Sequence, residues 1–280
     1  MNLIDGKSLA KKIRSELANE VKKEKLNPNL AVILCGDDEA SKVYVKIKSK
    51  ACEEVGIEFE EYHLKTETTQ KELLDLIDKL NNDDKVDGIL LQFPLPKGLN
   101  YDDAAEKISP DKDVDGFNPY NVGRLTIGRP KFIPCTPYGI MKMFEEYKID
   151  LLGKKVVIVG RSNIVGKPMA QCLLAESATV TICHSRTKDL TKELKDADII
   201  IAAVGKKHLI KEEMVKEGAV VIDVGTNRDE NGKLCGDVDF ENVSKKASFI
   251  TPNPGGVGPM TVAMLMNNVV MAHKNKNKER

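Results

Sequence analysis

The stretch "VVIVGRSNIVGKPMA", residues 156–170, decides the fold. Four branched aliphatics run into Gly160, and Gly166 opens an amphipathic segment. That order reads as a buried parallel strand, a tight turn and a helix. Gly160 permits the turn, and Gly166 lets the helix pack closely on the strand. Backbone N–H groups at such a helix start suit a pyrophosphate. The usual pattern is GxGxxG; here Ser162 stands at the middle glycine. Alone this is a weak signal, since many strand-to-helix turns carry glycines for structural reasons. The end of the next strand adds to it. At "HSRT" (184–187) there is no Asp or Glu to bind the 2′-hydroxyl of NAD. A hydroxyl and an arginine suit the 2′-phosphate of NADP instead. Arg161, Ser185 and Arg186 are the candidates for that phosphate, and surface polarity at a strand end is the alternative.

Outward from this stretch, strands and helices alternate. Downstream, the spacing predicts a helix over 166–176, a strand over 178–184, a helix over 188–196, a strand over 198–205, a helix over 211–216 and strands over 218–225 and 248–252. A last helix is predicted over 259–273. Upstream, helices are predicted over 7–25, 42–55 (N-capped by Ser41), 69–81, 101–108 and 137–147, with strands over 30–36, 56–64 and 86–96. Residues 109–137 are rich in Pro, Gly, Asp and Asn without a sustained period, as in a functional loop or a boundary. The alternation implies parallel sheets covered on both faces. The fold class is therefore α/β, with two α/β domains joined near 120–150. The second is a Rossmann-like parallel-sheet domain, and the active-site cleft is expected between the two.

Composition excludes several classes. Lys+Arg and Asp+Glu are equal at 43 each in 280 residues, so no bulk charge draws the chain to nucleic acid or a membrane. The apolar runs are too short to span a bilayer, and the first residues lack a secretory apolar core, which implies a cytoplasmic protein. The six cysteines show no CxxC pair and the four histidines no metal pattern, so no metal is expected. The end "HKNKNKER" reads as a solvated basic tail.

Within helix 42–55, Val43, Ile47, Ala51 and Val55 fall on one face at about 100° per residue. Tyr44 and Cys52 lie beside them. Lys42, Lys46 and Lys50 fall on the far side as solvated charge. Lys48 falls at the edge of the apolar stripe. It either snorkels to solvent or enters a desolvated pocket, where its pKa drops and it exchanges protons near neutrality. On the helical wheel alone, snorkelling stands ahead. Gln92 sits at the carboxyl end of an apolar strand, where ligands of open α/β sheets bind; buried without partners it costs about 1–3 kcal/mol. Asp111, Asp113 and Asp115 precede Gly116 in what is commonly turn chemistry. "TPNPGGVGPMT" (251–261) offers rigid, side-chain-poor backbone that can lie against a flat ligand.

Seven segments now stand in one order from end to end: "YVKIK", "GILLQFPLP", "PDKDVDGFNPYNVGRL", "PCTPYGI", "VVIVGRSNIVGKPM", "VIDVGTN" and "TPNPGGVGPMTVAML". Together they resemble the bifunctional methylenetetrahydrofolate dehydrogenase/cyclohydrolase family over essentially the whole chain. The resemblance implies NADP-dependent oxidation of 5,10-methylenetetrahydrofolate to the 5,10-methenyl cation, then hydrolysis to 10-formyltetrahydrofolate. It implies a folate-binding catalytic domain over 1–120, completed by a C-terminal helix at 260–280, and an NADP-binding domain over 121–259. By motif, Lys48 matches the catalytic lysine, Gln92 its hydrogen-bonding partner, Tyr44 the ring that stacks on folate, and Asp115 the carboxylate on the pterin. Gly160, Arg161, Ser162, Ser185 and Thr226 match the cofactor-binding positions. Pro254, Gly255, Gly256, Gly258 and Pro259 form the loop beside folate and cofactor. The resemblance also implies a homodimer formed through the cofactor domain, with 178–184 as its edge.

Overall fold

The structure, a computed structural model, describes residues 2–278. In chain order the strands are β1 (Asn2–Leu3), β2 (Asn29–Cys35), β3 (Glu58–Leu64), β4 (Gly88–Leu91), β5 (Lys155–Val159), β6 (Thr179–Cys183), β7 (Ile199–Ala202), β8 (Val220–Asp223), β9 (Asn227–Arg228), β10 (Leu234–Cys235) and β11 (Phe249–Ile250). The helices are α1 (Gly6–Glu24), α2 (Glu39–Val55), α3 (Gln70–Asn81), α4 (Tyr101–Lys107), α5 (Pro119–Thr126), α6 (Cys135–Glu146), α7 (Gly166–Ala175), α8 (Leu190–Leu194), α9 (Phe240–Val243) and α10 (Val257–Lys278). The chain divides into two units, Met1–Ala10 with Thr136–Thr261, and Lys11–Cys135 with Val262–Arg280.

In the first unit a parallel sheet runs β1-β11-β8-β7-β5-β6. Its central strands β5, β7 and β8 are apolar apart from Lys155 at the start of β5 and Asp223 at the end of β8, as a sheet covered on both faces requires. Val157, Val159, Ile200, Val221 and Ile250 pack with Leu194 and Val243 in one core. β5 pairs with β6 on one side and β7 on the other, so the winding reverses beside β5. Crevices at such reversals, beyond the carboxyl ends of the strands, are where open α/β sheets hold ligands.

The second unit repeats the device with a parallel sheet ordered β3-β2-β4. Ile33, Leu73, Ile77, Ile89 and Leu91 share its core. α3 starts at a capping box, in which Thr69 and Glu72 satisfy each other's backbone N–H groups. Gln92 follows β4 directly, next to the reversal at β2.

Several expectations differ from the structure for stated reasons. The bounds 1–120 and 121–259 shift because β1 pairs with β11, which places the first residues in the first unit. Residues to Cys135 stay with the second, where Phe132 is fully buried and Asn268 holds the Ile133 carbonyl. The stretch 109–137 is not loop throughout: Asn118 caps α5 with Pro119 at its first turn. Residues Glu212–Met214 make only a 3₁₀ turn. α2 is capped by Asp38, whose carboxylate accepts from Ser41 N at 2.7 Å, and not by Ser41. The tail is a helix to Lys278: Lys274 pairs with Glu20 and Glu24, and His273 and Lys276 both reach Asp87 at 2.9 Å. Its last two positions, 279 and 280, lie outside the described residues.

Candidate active site

α2 brings the first reactive group. It buries Ser41, Val45, Ala51, Cys52 and Val55; Ser41, Val45, half-buried Lys48, Cys52 and Val55 follow one another in a 4-3-4-3 repeat. The apolar face expected from the wheel is wrong in part: Val43 and Ile47 are 57% and 45% exposed. Hydrophobicity ranked that face first because the stripe that packs inward contains a serine and a lysine. Lys48 therefore sits within the buried stripe and does not snorkel.

Its Nζ donates to Gln92 Oε1 at 2.9 Å. Gln92 is itself 7% exposed and fixed at both ends: its backbone N–H donates to Ile33 O at 2.9 Å, and Nε2 donates to Phe93 O at 2.7 Å. Only the side-chain oxygen remains to orient the lysine, and it adds no charge. Burial holds the Lys48 ammonium below its ordinary pKa, against the opposing pull of Asp115. Burial raises Asp115 in turn, against the pull of Lys48.

The three carboxylates of the 110–116 stretch have separate roles. Asp111 pairs with Lys131 on the surface. Asp113 is 2% exposed and accepts from the backbone N–H groups of Gly116, Phe117 and Asn118 and from Asn121 Nδ2. It builds the turn, and burial raises its pKa to about 6. Asp115 alone faces the lysine. Two residues missed from sequence support it. Cys135 lies with its Sγ 3.5 Å from Val114 O and within hydrogen-bond reach of Asp115. Asn268 on α10 is fully buried and donates to Val114 O (2.8 Å) and Ile133 O (3.1 Å). An asparagine inside an apolar helical run was the available signal. Exposed aromatics flank this cluster. Tyr44 stands one turn before Lys48, and Phe93 follows Gln92, edge-on to Tyr101 at 5.4 Å.

The first unit carries the nucleotide-type turn. A Cβ at Gly160 would come 2.2 Å from Ala203 O, and one at Gly166 would come 2.2 Å from Gly160 O. Gly160 also has φ +132°, so both glycines are required by close backbone approach. Ser162 Oγ accepts from Val165 N at 3.1 Å and Gly166 N at 3.4 Å, and its carbonyl accepts from Lys167 N. The serine thus takes the place of a ligand at these N–H groups, which leaves Arg161 and Ser162, exposed beyond the buried Gly160, as the open surface. Gly160 N donates to Cys183 O, so Arg161 and Ser185 follow neighbouring strand ends. Arg161, Ser162, Ser185, Arg186 and Thr226 are all exposed. Of the 254–259 loop, Gly255 has φ +102°, and a Cβ on Gly256 would meet Pro252 O at 2.5 Å. α10 begins at Val257, so Gly258 and Pro259 belong to its first turn and not to a loop.

Among the described residues no helix is long and apolar enough to cross a membrane. No group of three or more His, Cys, Asp or Glu is gathered there where it could hold a metal ion.

The family model for the catalytic domain of tetrahydrofolate dehydrogenase/cyclohydrolase matches residues 4–115. The model for the NAD(P)-binding domain of the same family matches residues 134–277. The chain belongs to the tetrahydrofolate dehydrogenase/cyclohydrolase family. It is 57% identical to the bifunctional protein FolD of Geotalea daltonii, over 98% of this chain and 99% of that one. A crystal structure of the bifunctional FolD of Campylobacter jejuni superposes with TM-score 0.96 at 55% identity, covering 98% of this chain and 99% of the other. The Trypanosoma brucei enzyme, solved with NADP cofactor and an inhibitor, gives TM-score 0.94 at 38% identity over 99% and 98% of the two chains. The family member described here is a bifunctional enzyme of one-carbon metabolism. It oxidises 5,10-methylenetetrahydrofolate with NADP and hydrolyses the 5,10-methenyl product to 10-formyltetrahydrofolate.

Proposed function

We propose that Lys48, Gln92 and Asp115 carry the hydrolytic step and hold the folate for oxidation. The observation behind this is the 2.9 Å Lys48–Gln92 hydrogen bond in a site that disfavours the ammonium. In hydrolysis, water adds to the methenyl carbon of the cation. The lysine amine takes the proton that the water releases. Cleavage of the bond from that carbon to N5, with a proton returned to N5, leaves the formyl group on N10. Gln92 aims the amine throughout. Asp115 accepts the N–H groups of the pterin's guanidine-like edge, and Tyr44 supplies a flat wall for the substrate rings.

The residues of the first unit fit NADP: a glycine turn that admits no Cβ, with exposed Arg161, Ser185 and Arg186 at neighbouring strand ends. When bound, NADP⁺ supplies the hydride acceptor for the first step. Arg161 and Ser185 hold the 2′-phosphate, and Gly160, Ser162 and Thr226 lie along the dinucleotide. Pro254, Gly255, Gly256, Gly258 and Pro259 border both ligands. The enzyme works in the cytoplasm as a homodimer, joined along β6, an edge strand beside which Leu174 and Ile182 are exposed.

The test is an assay with methylenetetrahydrofolate and NADP⁺ that follows NADPH and the methenyl chromophore separately, in the wild type and in Lys48→Met. The variant is expected to fold, to bind NADP and to lose cyclohydrolase activity. Undiminished formation of 10-formyltetrahydrofolate by Lys48→Met would remove the mechanism.

A further inference from the structure

Two buried carboxylates with no part in these steps stand near the carboxyl end of the six-stranded sheet. Asp237 is fully buried and Asp223 is 4% exposed. Asp237 Oδ2 accepts from Val204 N (2.7 Å) and Gly205 N (3.1 Å), and Oδ1 accepts from Lys206 N (2.7 Å) and Asn227 Nδ2 (2.9 Å). Asp223 Oδ1 accepts from Gly225 N (3.0 Å) and Asp237 N (2.9 Å), and Oδ2 accepts from Val238 N (3.1 Å). These partners are N–H groups of the loops themselves. Burying a carboxylate is costly, and a neutral amide cannot replace it, because it turns one acceptor oxygen into a donor.

The surrounding backbone is shaped to the two groups. A Cβ at Gly225 would come 2.3 Å from Asp237 Oδ1, and one at Gly236 would come 1.7 Å from Asp223 Oδ2. Through these contacts the loops after β7 (203–206) and after β8 (224–227) become one assembly. Asn253 Nδ2 donates to Gly225 O, and Asp223 N donates to Thr251 Oγ1 at 2.8 Å, which adds the loop after β11. β7, β8 and β11 are neighbours in the sheet, and these loops leave its carboxyl end, where dinucleotides bind. The 203–206 loop also abuts the nucleotide turn, since Gly160 rests on Ala203 O.

We infer that Asp237, braced by Asp223, is a positioning residue for NADP: it locks the loops after β7 and β8 in the form that receives the cofactor. It touches neither ligand in this role and acts through the backbone of 204–206 and the side chain of Asn227. The inference rests on the reading that this unit binds NADP. A carboxylate that served the fold alone would affect every property of the protein equally.

The experiment compares the full-length wild type with Asp237→Asn in three measurements: NADPH affinity by fluorescence titration, hydrolysis of methenyltetrahydrofolate supplied without cofactor, and thermal unfolding. Facing N–H donors with an amide NH₂ strands buried polar groups, so NADPH affinity is expected to fall about tenfold or more. Cyclohydrolase turnover is expected to stay within about twofold, since Lys48, Gln92 and Asp115 lie in the other unit. Wild-type NADPH affinity in the variant overturns the inference. So does a parallel loss of NADPH binding and cyclohydrolase activity in a folded variant. If Asp237→Asn does not fold, Asn227→Ala, which removes one of the four donors, takes its place. It should weaken NADPH binding with cyclohydrolase intact, and unchanged binding there overturns the inference. A wild type that binds no NADPH would refute the cofactor reading itself, before any variant is compared.

Discussion

Gln92→Glu tests the electrostatics of the hydrolytic site most directly. The wild-type contact is neutral on one side: Lys48 Nζ donates to an amide oxygen at 2.9 Å. A glutamate preserves the length and the acceptor and adds a full negative charge. At that separation and an effective dielectric of about 20, the direct interaction is about 6 kcal/mol. This is an upper figure, because the new carboxylate also gives up hydration and meets Asp115. Opposite charges at this range shift a pKa by about 1–3 units. The sign follows from Lys48 itself. Burial now holds its pKa below the ordinary lysine value; the glutamate stabilises the ammonium and moves the pKa back up. A rise of about 2 units reduces the neutral amine about 100-fold at pH below the wild-type pKa, and by less between the two pKa values. Cyclohydrolase kcat/KM, measured as loss of the methenyl chromophore after subtraction of uncatalysed hydrolysis, should fall about 100-fold on the acid limb and by progressively less above the wild-type pKa. Its acid limb should move to higher pH by about the same 2 units. A fall of equal size at every pH, or a limb that stays in place, would refute the assignment of Lys48 as the base.

Gly160→Ala places a Cβ 2.2 Å from a backbone oxygen at φ +132°. It should lower stability by about 1–3 kcal/mol, read as a fall in Tm, and weaken NADPH binding in a fluorescence titration. Asn268→Ala removes the buried amide donor of the Val114 and Ile133 carbonyls and leaves Val114 O with only the Cys135 thiol. The expected loss is about 1–3 kcal/mol in a denaturant titration, with a lower cyclohydrolase kcat because the backbone next to Asp115 is freed. If Arg161 and Ser185 hold the 2′-phosphate, kcat/KM with NADP⁺ should exceed that with NAD⁺ by about tenfold or more, and Arg161→Ala should narrow the gap. Equal values for the two cofactors in the wild type would remove that assignment.

Local patterns, by themselves, determined a large part of this protein. The run into Gly160 marked the nucleotide-type turn because the turn's requirement, backbone approach too close for a Cβ, is a property of a few consecutive residues. The βα alternation determined the fold class for the same reason: strand and helix periods are local. Lys48, Gln92 and Asp115 were named from the motifs that carry them. The helical wheel, however, placed the inward face of α2 on Val43, Ile47, Ala51 and Val55, of which the first two are exposed and only the last two buried. Which stripe turns inward depends on what meets it across space, and here a glutamine 44 residues away receives the lysine. Spacing alone did not distinguish the three aspartates of 111–115; the motif singled out Asp115, and the tertiary partners showed that Asp111 makes a surface ion pair and Asp113 builds the turn. The same holds for Asn268 and Cys135, which touch the site from distant parts of the chain, and for the basic tail, which ion pairs with Glu20, Glu24 and Asp87 order as helix. Periodicity reports what a segment requires of itself. The partner that satisfies a buried charge or hydrogen bond is chosen by the fold, because in a packed interior each polar group takes the nearest complement, whatever its place in the chain.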